Sequence, residues 1–439
     1  MATVALGAML APLNSTMIAI ALPRLVVAFH TSVATVAWLV TMYLIAMATL
    51  QPVAGKLGDR VGRRRLILAG LALFGLSSAA AALSTDLPAL FAFRALQAVS
   101  GAVALPNGSA LLRAVIPAER RGAGFGLISS ATSLAAAAGP PLGGLLVGLA
   151  DWRSIFYVNV LVVVPALLIG WRSLPESGRP AGRRPFDVYG AIGLSAALAG
   201  LAAVLNHIGH GGLGAWRALA AGGAAVAAGL GLLLGYEARQ PDPVLQPRFF
   251  ARRSFAAATA AVMLSNLAMY STLLAVPLLL EARPGFSSAR VGLVLSAMSA
   301  LTAAAAPLGG RLADRLGRRR PAAAGLSLLA VAMLLVAAGA SGSARDLVVC
   351  LGLAGAGLGL SGAGVQTAAL EAVAPGQAGA AAGVYSTARY LGSIIGSSVL
   401  AVLLAPGPGE RSPIFVLVAA AASASALAAL LLEDRPREA

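Results

Sequence analysis

Gly55-Lys56-Leu57-Gly58-Asp59-Arg60-Val61-Gly62-Arg63-Arg64-Arg65 returns late in the chain as Gly310-Arg311-Leu312-Ala313-Asp314-Arg315-Leu316-Gly317-Arg318-Arg319-Arg320. Each copy keeps two glycines, one aspartate and a closing run of three arginines at matching places. Each copy also follows a long apolar run. A charged hairpin repeated at corresponding positions describes a chain built as two parallel halves, and the rest of the sequence can be counted outward from it.

Of the 439 residues, 59% are hydrophobic and 11% charged, with a mean hydropathy of +0.85. An ordinary soluble domain carries roughly 25% charged residues, and a chain of this length has no way to hide so much apolar surface from water. A bilayer span needs roughly 20 mostly apolar residues. Runs of that kind occupy 3–28, 33–54, 66–84, 88–110, 123–149, 154–172, 188–206, 216–236, 255–280, 289–309, 321–341, 346–370, 379–405 and 413–432, fourteen in all. The expected fold is an all-α polytopic membrane protein. The repeated hairpins then follow spans 2 and 10, which divides the chain into an N-terminal six-helix bundle (1–173), a linker with two extra spans (174–254) and a C-terminal six-helix bundle with a short tail (255–439).

The net charge of +16 would suggest nucleic acid in a soluble chain. Here the basic residues sit in clusters between apolar runs, and every one except Lys56 is arginine. With Met1 placed in the cytoplasm, the inner loops and tail hold 23 Lys and Arg and the outer loops 7, while Arg94 and Arg389 fall inside spans. That asymmetry fits the positive-inside rule and places both termini of a multi-pass inner-membrane protein in the cytoplasm. No nucleic-acid partner is expected.

Other chemistries find little support. Cys350 is the sole cysteine, so no disulfide framework or thiolate metal cluster is expected. No basic region precedes the first apolar run, which reads as a retained span. His207 and His210 fall in an outer loop with no acid nearby, short of the four ligands of a structural zinc site. Gly55-Lys56 lacks the upstream glycine and the Ser or Thr of a phosphate-binding loop, so no nucleotide cofactor is expected. An enzyme would need a titratable cluster within the membrane, and the acids lie at span ends and in loops.

At the hairpins the chain resembles the major facilitator superfamily, in particular its fourteen-span drug:proton antiporter branch, and the resemblance runs essentially from end to end. It implies that Gly55, Asp59, Arg60, Gly62, Arg63 and Arg64, with Gly310, Asp314, Arg315, Gly317 and Arg318, form cytoplasmic latches. Each latch aspartate would dock on a helix N-terminus of the other half, Asp59 near Gly379 and Asp314 near Gly122; such a terminus carries about +0.5 of a charge. In span 4, Arg94, Gln97 and Gly101 share one helix face and resemble the branch's R-x-x-Q-G motif, which implies a coupling role for Arg94 and Gln97. Arg389 in span 13 joins them. Gly139-Pro140-Pro141-Leu142-Gly143-Gly144 resembles the G-P-x-x-G-G antiporter signature; its Pro140 would bend the helix, and Gly139, Gly143 and Gly144 would admit a close neighbour.

The branch's first-span motif usually places an aspartate where this chain has Asn14. No acid lies in the middle of any of the expected spans, which leaves Glu371 and Asp86 as fallback proton carriers. Polar and aromatic groups at mid-span mark candidates for the cavity wall: Asn14, Trp38, Tyr43, Asn107, Asn159, Asn266, Tyr270, Gln366 and Tyr385. Hydrogen bonding between helices explains any one of them equally well. The expected function is secondary export of small lipophilic compounds, with the proton gradient as energy source and no cofactor. Two intramembrane arginines without a counter-charge favour neutral, zwitterionic or weakly anionic cargo. A lipid or metabolite carrier without proton coupling is the alternative, and a sensor or scaffold without flux is a third. The chain is expected to act as a monomer.

Overall fold

A computed structural model of the chain describes residues 1–175 apart from residue 32, then 246–281, 288–339, 343–403 and 413–434, with scattered positions between 189 and 239. Most of the expected spans 7 and 8 lies outside these residues. In a bilayer every backbone N–H and C=O must be satisfied within the protein, which leaves long apolar segments little alternative to the helix. Twelve such helices are described. The first six are α1 (Ala2–Ala28), α2 (Val33–Val61), α3 (Arg63–Ala82), α4 (Leu87–Val115), α5 (Arg121–Leu149) and α6 (Ser154–Ser173). The second six are α7 (Arg253–Glu281), α8 (Ser288–Leu316), α9 (Arg319–Ala337), α10 (Ala344–Glu371), α11 (Ala378–Leu403) and α12 (Pro413–Ala429). Among the described residues, seven helices are long and apolar enough to cross a membrane.

The two sixes repeat one pattern of neighbours. In the first, α1 packs on α5 and α6, α2 on α4, and α3 on α4 and α6. In the second, α7 packs on α11 and α12, α8 on α10, and α9 on α10 and α12. The bundles meet reciprocally, α2 against α11 and α5 against α8. Lipid tails are as apolar as leucine, so helices here associate through close packing, which small residues permit. A Cβ on Gly126 of α5 would stand 2.6 Å from the carbonyl oxygen of Ala306 on α8, and one on Gly383 of α11 2.6 Å from the Cα of Pro52 on α2.

The repeated hairpin has a different form from the loop its charges suggest. Helix α2 continues past the apolar run 33–54 to Val61, and α8 past 289–309 to Leu316. Asp59 and Asp314 therefore stand on helix ends. The turn itself is made around Gly62 (φ 103°) and Gly317 (φ 87°), a left-handed backbone that glycine adopts without steric cost. The repeat also reaches further upstream than its charges, since Pro52 and Pro307 occupy matching places inside α2 and α8. At the opposite end of the bundle Asp86 caps α4, accepting from Ala89 N at 2.8 Å. That cap is a structural use for an acid held in reserve as a proton carrier.

Candidate functional site

Both hairpin aspartates reach across the bundle interface to a helix N-terminus. Asp314 accepts from Gly122 N and Ala123 N, each at 2.7 Å. Asp59 accepts from Gly379 N at 3.2 Å and Ala380 N at 3.1 Å. The first amides of a helix have no partner inside the helix, and a carboxylate meets both their hydrogen-bonding need and the positive end of the dipole. Burial pushes the Asp59 carboxyl above its ordinary value, and Arg63 and the two amides pull in the opposite direction.

Each aspartate is held by the arginine four residues on: Arg63 bonds Asp59 at 2.8 Å and Arg318 bonds Asp314 at 3.1 Å. The second latch carries more. Arg318 also donates to both oxygens of Glu371, at 3.1 and 3.2 Å, and to Ala118 O at 2.7 Å. Arg121, at the start of α5, pairs with Glu371 at 3.2 Å. Two arginines of the first bundle cross the interface to backbone carbonyls, Arg63 to Pro375 O and Arg113 to Val373 O. Arg64 instead donates to Trp171 O within its own bundle. Arg60 is half-buried and Arg315 exposed. Gly310 meets Gly122, and Gly55 meets Gly379, as backbone against backbone, with no room for a Cβ at any of these places. The bonds joining the bundles gather at this end of the molecule, and in this structure that end is shut.

Inside the first bundle, Arg94 is fully buried. It donates to Gln97 Oε1 at 3.0 Å and to Leu39 O at 3.4 Å, and lies 4.6 Å from the Tyr43 ring centroid. Gln97 passes the chain on to Ser78 Oγ at 2.7 Å. No described carboxylate pairs with Arg94; its neighbours are neutral, and its Nε has no partner. The Tyr43 hydroxyl lies beside Asn14 without finding a hydrogen-bond partner.

A central cavity lies between the bundles in two lobes, of about 240 Å³ and 170 Å³. Helices of both bundles supply its walls, which are largely apolar with scattered hydroxyls. Arg389 lines both lobes and is, among the described residues, the only charged one lining either. Asn266 also lines both, Tyr270 the larger, and Gln366 and Tyr385 the smaller.

The structure thus divides the cavity candidates. Asn266, Tyr270, Gln366 and Tyr385 face the cavity, and Arg389, expected in a coupling role, faces it with them. Asn14, Tyr43, Asn107 and Asn159 are not among its lining residues, because other helices claim them. Asn159 donates to Asn14, and Asn107 donates to Ala54 O on α2 at 3.0 Å. Trp38 lies on α2, and its side chain is outside the described set. In the antiporter signature, Gly139 and Gly143 sit where α5 crosses α1, with a Cβ at Gly143 only 3.1 Å from the Met17 Cα. Pro140 and Gly144 continue α5 as helix.

Two groups escaped the sequence reading. Ser129, Thr132 and Ser133 line the cavity from α5, and their spacing of three and four residues was the available signal. Arg121 joins Glu371 across the interface, and nothing local in the sequence marks that pairing.

Two matched helical bundles, latched together at one end around a central cavity, form the architecture of a membrane carrier. A profile of the Major Facilitator Superfamily matches residues 4–259 and 258–439, and the chain belongs to that family of transporters. It is 33% identical over 412 residues to the tetracenomycin C resistance and export protein of Streptomyces glaucescens, covering 93% of this chain and 76% of that one. It is 32% identical over 402 residues to the multidrug resistance protein Stp of Mycobacterium tuberculosis, covering 91% and 74%. An uncharacterised transporter of Bacillus subtilis, YvkA, is 34% identical, covering 91% and 88%. Among solved structures, the human organic anion transporter MFSD10 (TETRAN) shares the fold with a TM-score of 0.71 at 20% identity, covering 98% of each chain. The proton:xylose symporter XylE gives 0.68 at 14%, covering 97% and 93%.

Proposed function

We propose that this transporter exports small lipophilic drugs or metabolites across a bacterial cytoplasmic membrane, with the latched end facing the cytoplasm, both termini on that side, and access to the cavity alternating as the bundles rock. The observation that carries this reading is the pair of reciprocal latches, each an aspartate of one bundle on a helix N-terminus of the other. Breaking both is the natural route to opening that end, and a largely apolar cavity with a few polar fixtures suits drug-like cargo. Two relatives named for resistance, to tetracenomycin C and to multiple drugs, support the export direction.

Proton antiport, which the resemblance to the drug:proton antiporter branch implies, is the leading proposal for energy supply. A second reading, a carrier without proton coupling, draws on a specific observation: among the described residues no carboxylate lines the cavity, and Asn14 stands where the branch usually has an acid. Everted vesicles decide between them. Accumulation of a lipophilic fluorescent compound should fall when the pH gradient is collapsed and the voltage kept. Accumulation that ignores both gradients would remove antiport, and absence of any accumulation across a panel of such compounds would remove export.

A further inference from the structure

Arg389 is placed unlike every other arginine described above. Arg63, Arg64 and Arg318 are paired with carboxylates or carbonyls, Arg315 is exposed, and Arg94 is sealed among Gln97, Leu39 and Tyr43. Arg389 sits where the two lobes of the cavity meet. Its guanidinium lies 5.5 Å from the Tyr390 ring centroid, and among the described residues no hydrogen bond or ion pair takes up any of its donors. A guanidinium offers five N–H groups in a planar fork. A cation at membrane depth without a partner is costly, and leaving it open to a cavity makes sense when the partner arrives with the cargo.

The surroundings fix the sign and shape of that partner. Among the described residues no acid lines either lobe, so a cationic head would meet repulsion from Arg389 with no counter-charge to offset it. Tyr270 and Tyr390 stand around the larger lobe, and Asn266 and Tyr385 border the smaller. Hydroxyl and amide donors flanking an arginine fork match a carboxylate, which the fork grips through two parallel bonds. Each lobe is smaller than a drug-sized pocket of roughly 300–1,000 Å³, so a head at Arg389 can send one compact body into a lobe.

We propose that Arg389 is the anchor for the head group of a lipophilic monoanion, a carboxylate on a compact aromatic or aliphatic body, and that such acids are the preferred cargo. This rests on the export reading and narrows it.

Three probes with one fluorophore and different heads test it: dansylglycine (anionic), dansylglycinamide (neutral) and dansylcadaverine (cationic). Binding is read by fluorescence on purified protein in lipid nanodiscs. Wild type should bind dansylglycine at least about tenfold more tightly than dansylglycinamide, the scale of a hydrogen bond to a charged group, and dansylcadaverine most weakly. Arg389→Gln should erase the difference by weakening the acid far more than the amide, and Arg389→Lys should keep part of it. A thermal unfolding midpoint matching that of wild type shows that Arg389→Gln is folded. Equal binding of acid and amide by wild type overturns the anchor, as does a preference that survives Arg389→Gln. Flux measured in everted vesicles separates the two claims. Flux of all three probes without head preference sinks the anchor and leaves export standing, whereas preference in binding with no flux sinks export and leaves the anchor.

Discussion

Asn159 on α6 donates its side-chain amide to the Oδ1 of Asn14 on α1 at 3.1 Å, with both residues fully buried. The remaining polar atoms of the pair, Asn14 Nδ2 and Asn159 Oδ1, find no partner among the described residues. Leaving buried groups unpaired is costly, so this neutral pair is a poor energetic solution unless its neutrality serves the cycle. It leaves Arg94 in the same bundle without a counter-charge.

Asn14→Asp restores an acid at that point, still within reach of Asn159 and beside the Tyr43 hydroxyl. The expected outcome is a gain: efflux of a quaternary ammonium dye rises above wild type, and transport becomes more sensitive to collapse of the pH gradient. Paired dye-efflux traces from vesicles of the two proteins would show it. Identical traces under both conditions would mean that residue 14 has no electrostatic influence on the pathway.

Asp314 makes two charge-assisted bonds to the start of α5, and Asp314→Ala removes both. Hydrogen bonds to a charged group are worth about 1.5–3 kcal/mol each, so the shut state should lose at least about tenfold in population. A cysteine placed at Ser133 in the cavity, in a Cys350→Ser background, reports the change through labelling by an impermeant maleimide from the hairpin side. The labelling rate should rise with Asp314→Ala. No rise would show that the latch does not hold this end shut.

The repeat, the helical class and the two matched halves were all legible, because Gly62 and Gly317 stand at fixed offsets from Asp59 and Asp314 and apolar runs can be counted. The hairpin's form was not. Hydropathy falls at Lys56 and Arg311, but the helical backbone continues five residues further to Val61 and Leu316, since helix ends and bilayer edges answer to different forces. Inside the spans, the division between Asn266, which faces the cavity, and Asn107, which bonds α2, was invisible. A helix that is apolar all round carries no stripe to fix its rotation, so which neighbour a lone polar group meets is decided only by packing.

Glu371 serves two arginines at once, Arg318 and Arg121. Its carboxylate is 6% exposed and Arg318 9%, whereas Arg121 is 21% exposed, and solvent weakens the second pair more. Glu371→Gln should therefore raise cavity labelling more than Arg121→Ala does. Combined with Asp314→Ala, it should add less than its separate effect, because both acids hold Arg318. A fully additive double variant would show that the two acids act independently.

Two glycines on α5 offer the sharpest geometric contrast. A Cβ at Gly126 would stand 2.6 Å from Ala306 O, backbone that cannot swing aside, whereas one at Gly148 meets nothing within 4 Å. Gly126→Ala should keep α5 and α8 apart, weaken the shut state seen here and cut transport strongly. Gly148→Ala should be nearly silent, and would stabilise slightly if it acts at all, since alanine favours helix over glycine by about 1 kcal/mol. Transport measured in parallel, with maleimide labelling at Ser133→Cys to report the state, separates lost closure from lost folding. A Gly126→Ala protein that transports like wild type would mean that α5 and α8 never come this close during the cycle, and the shut end described here would then lie off the working path.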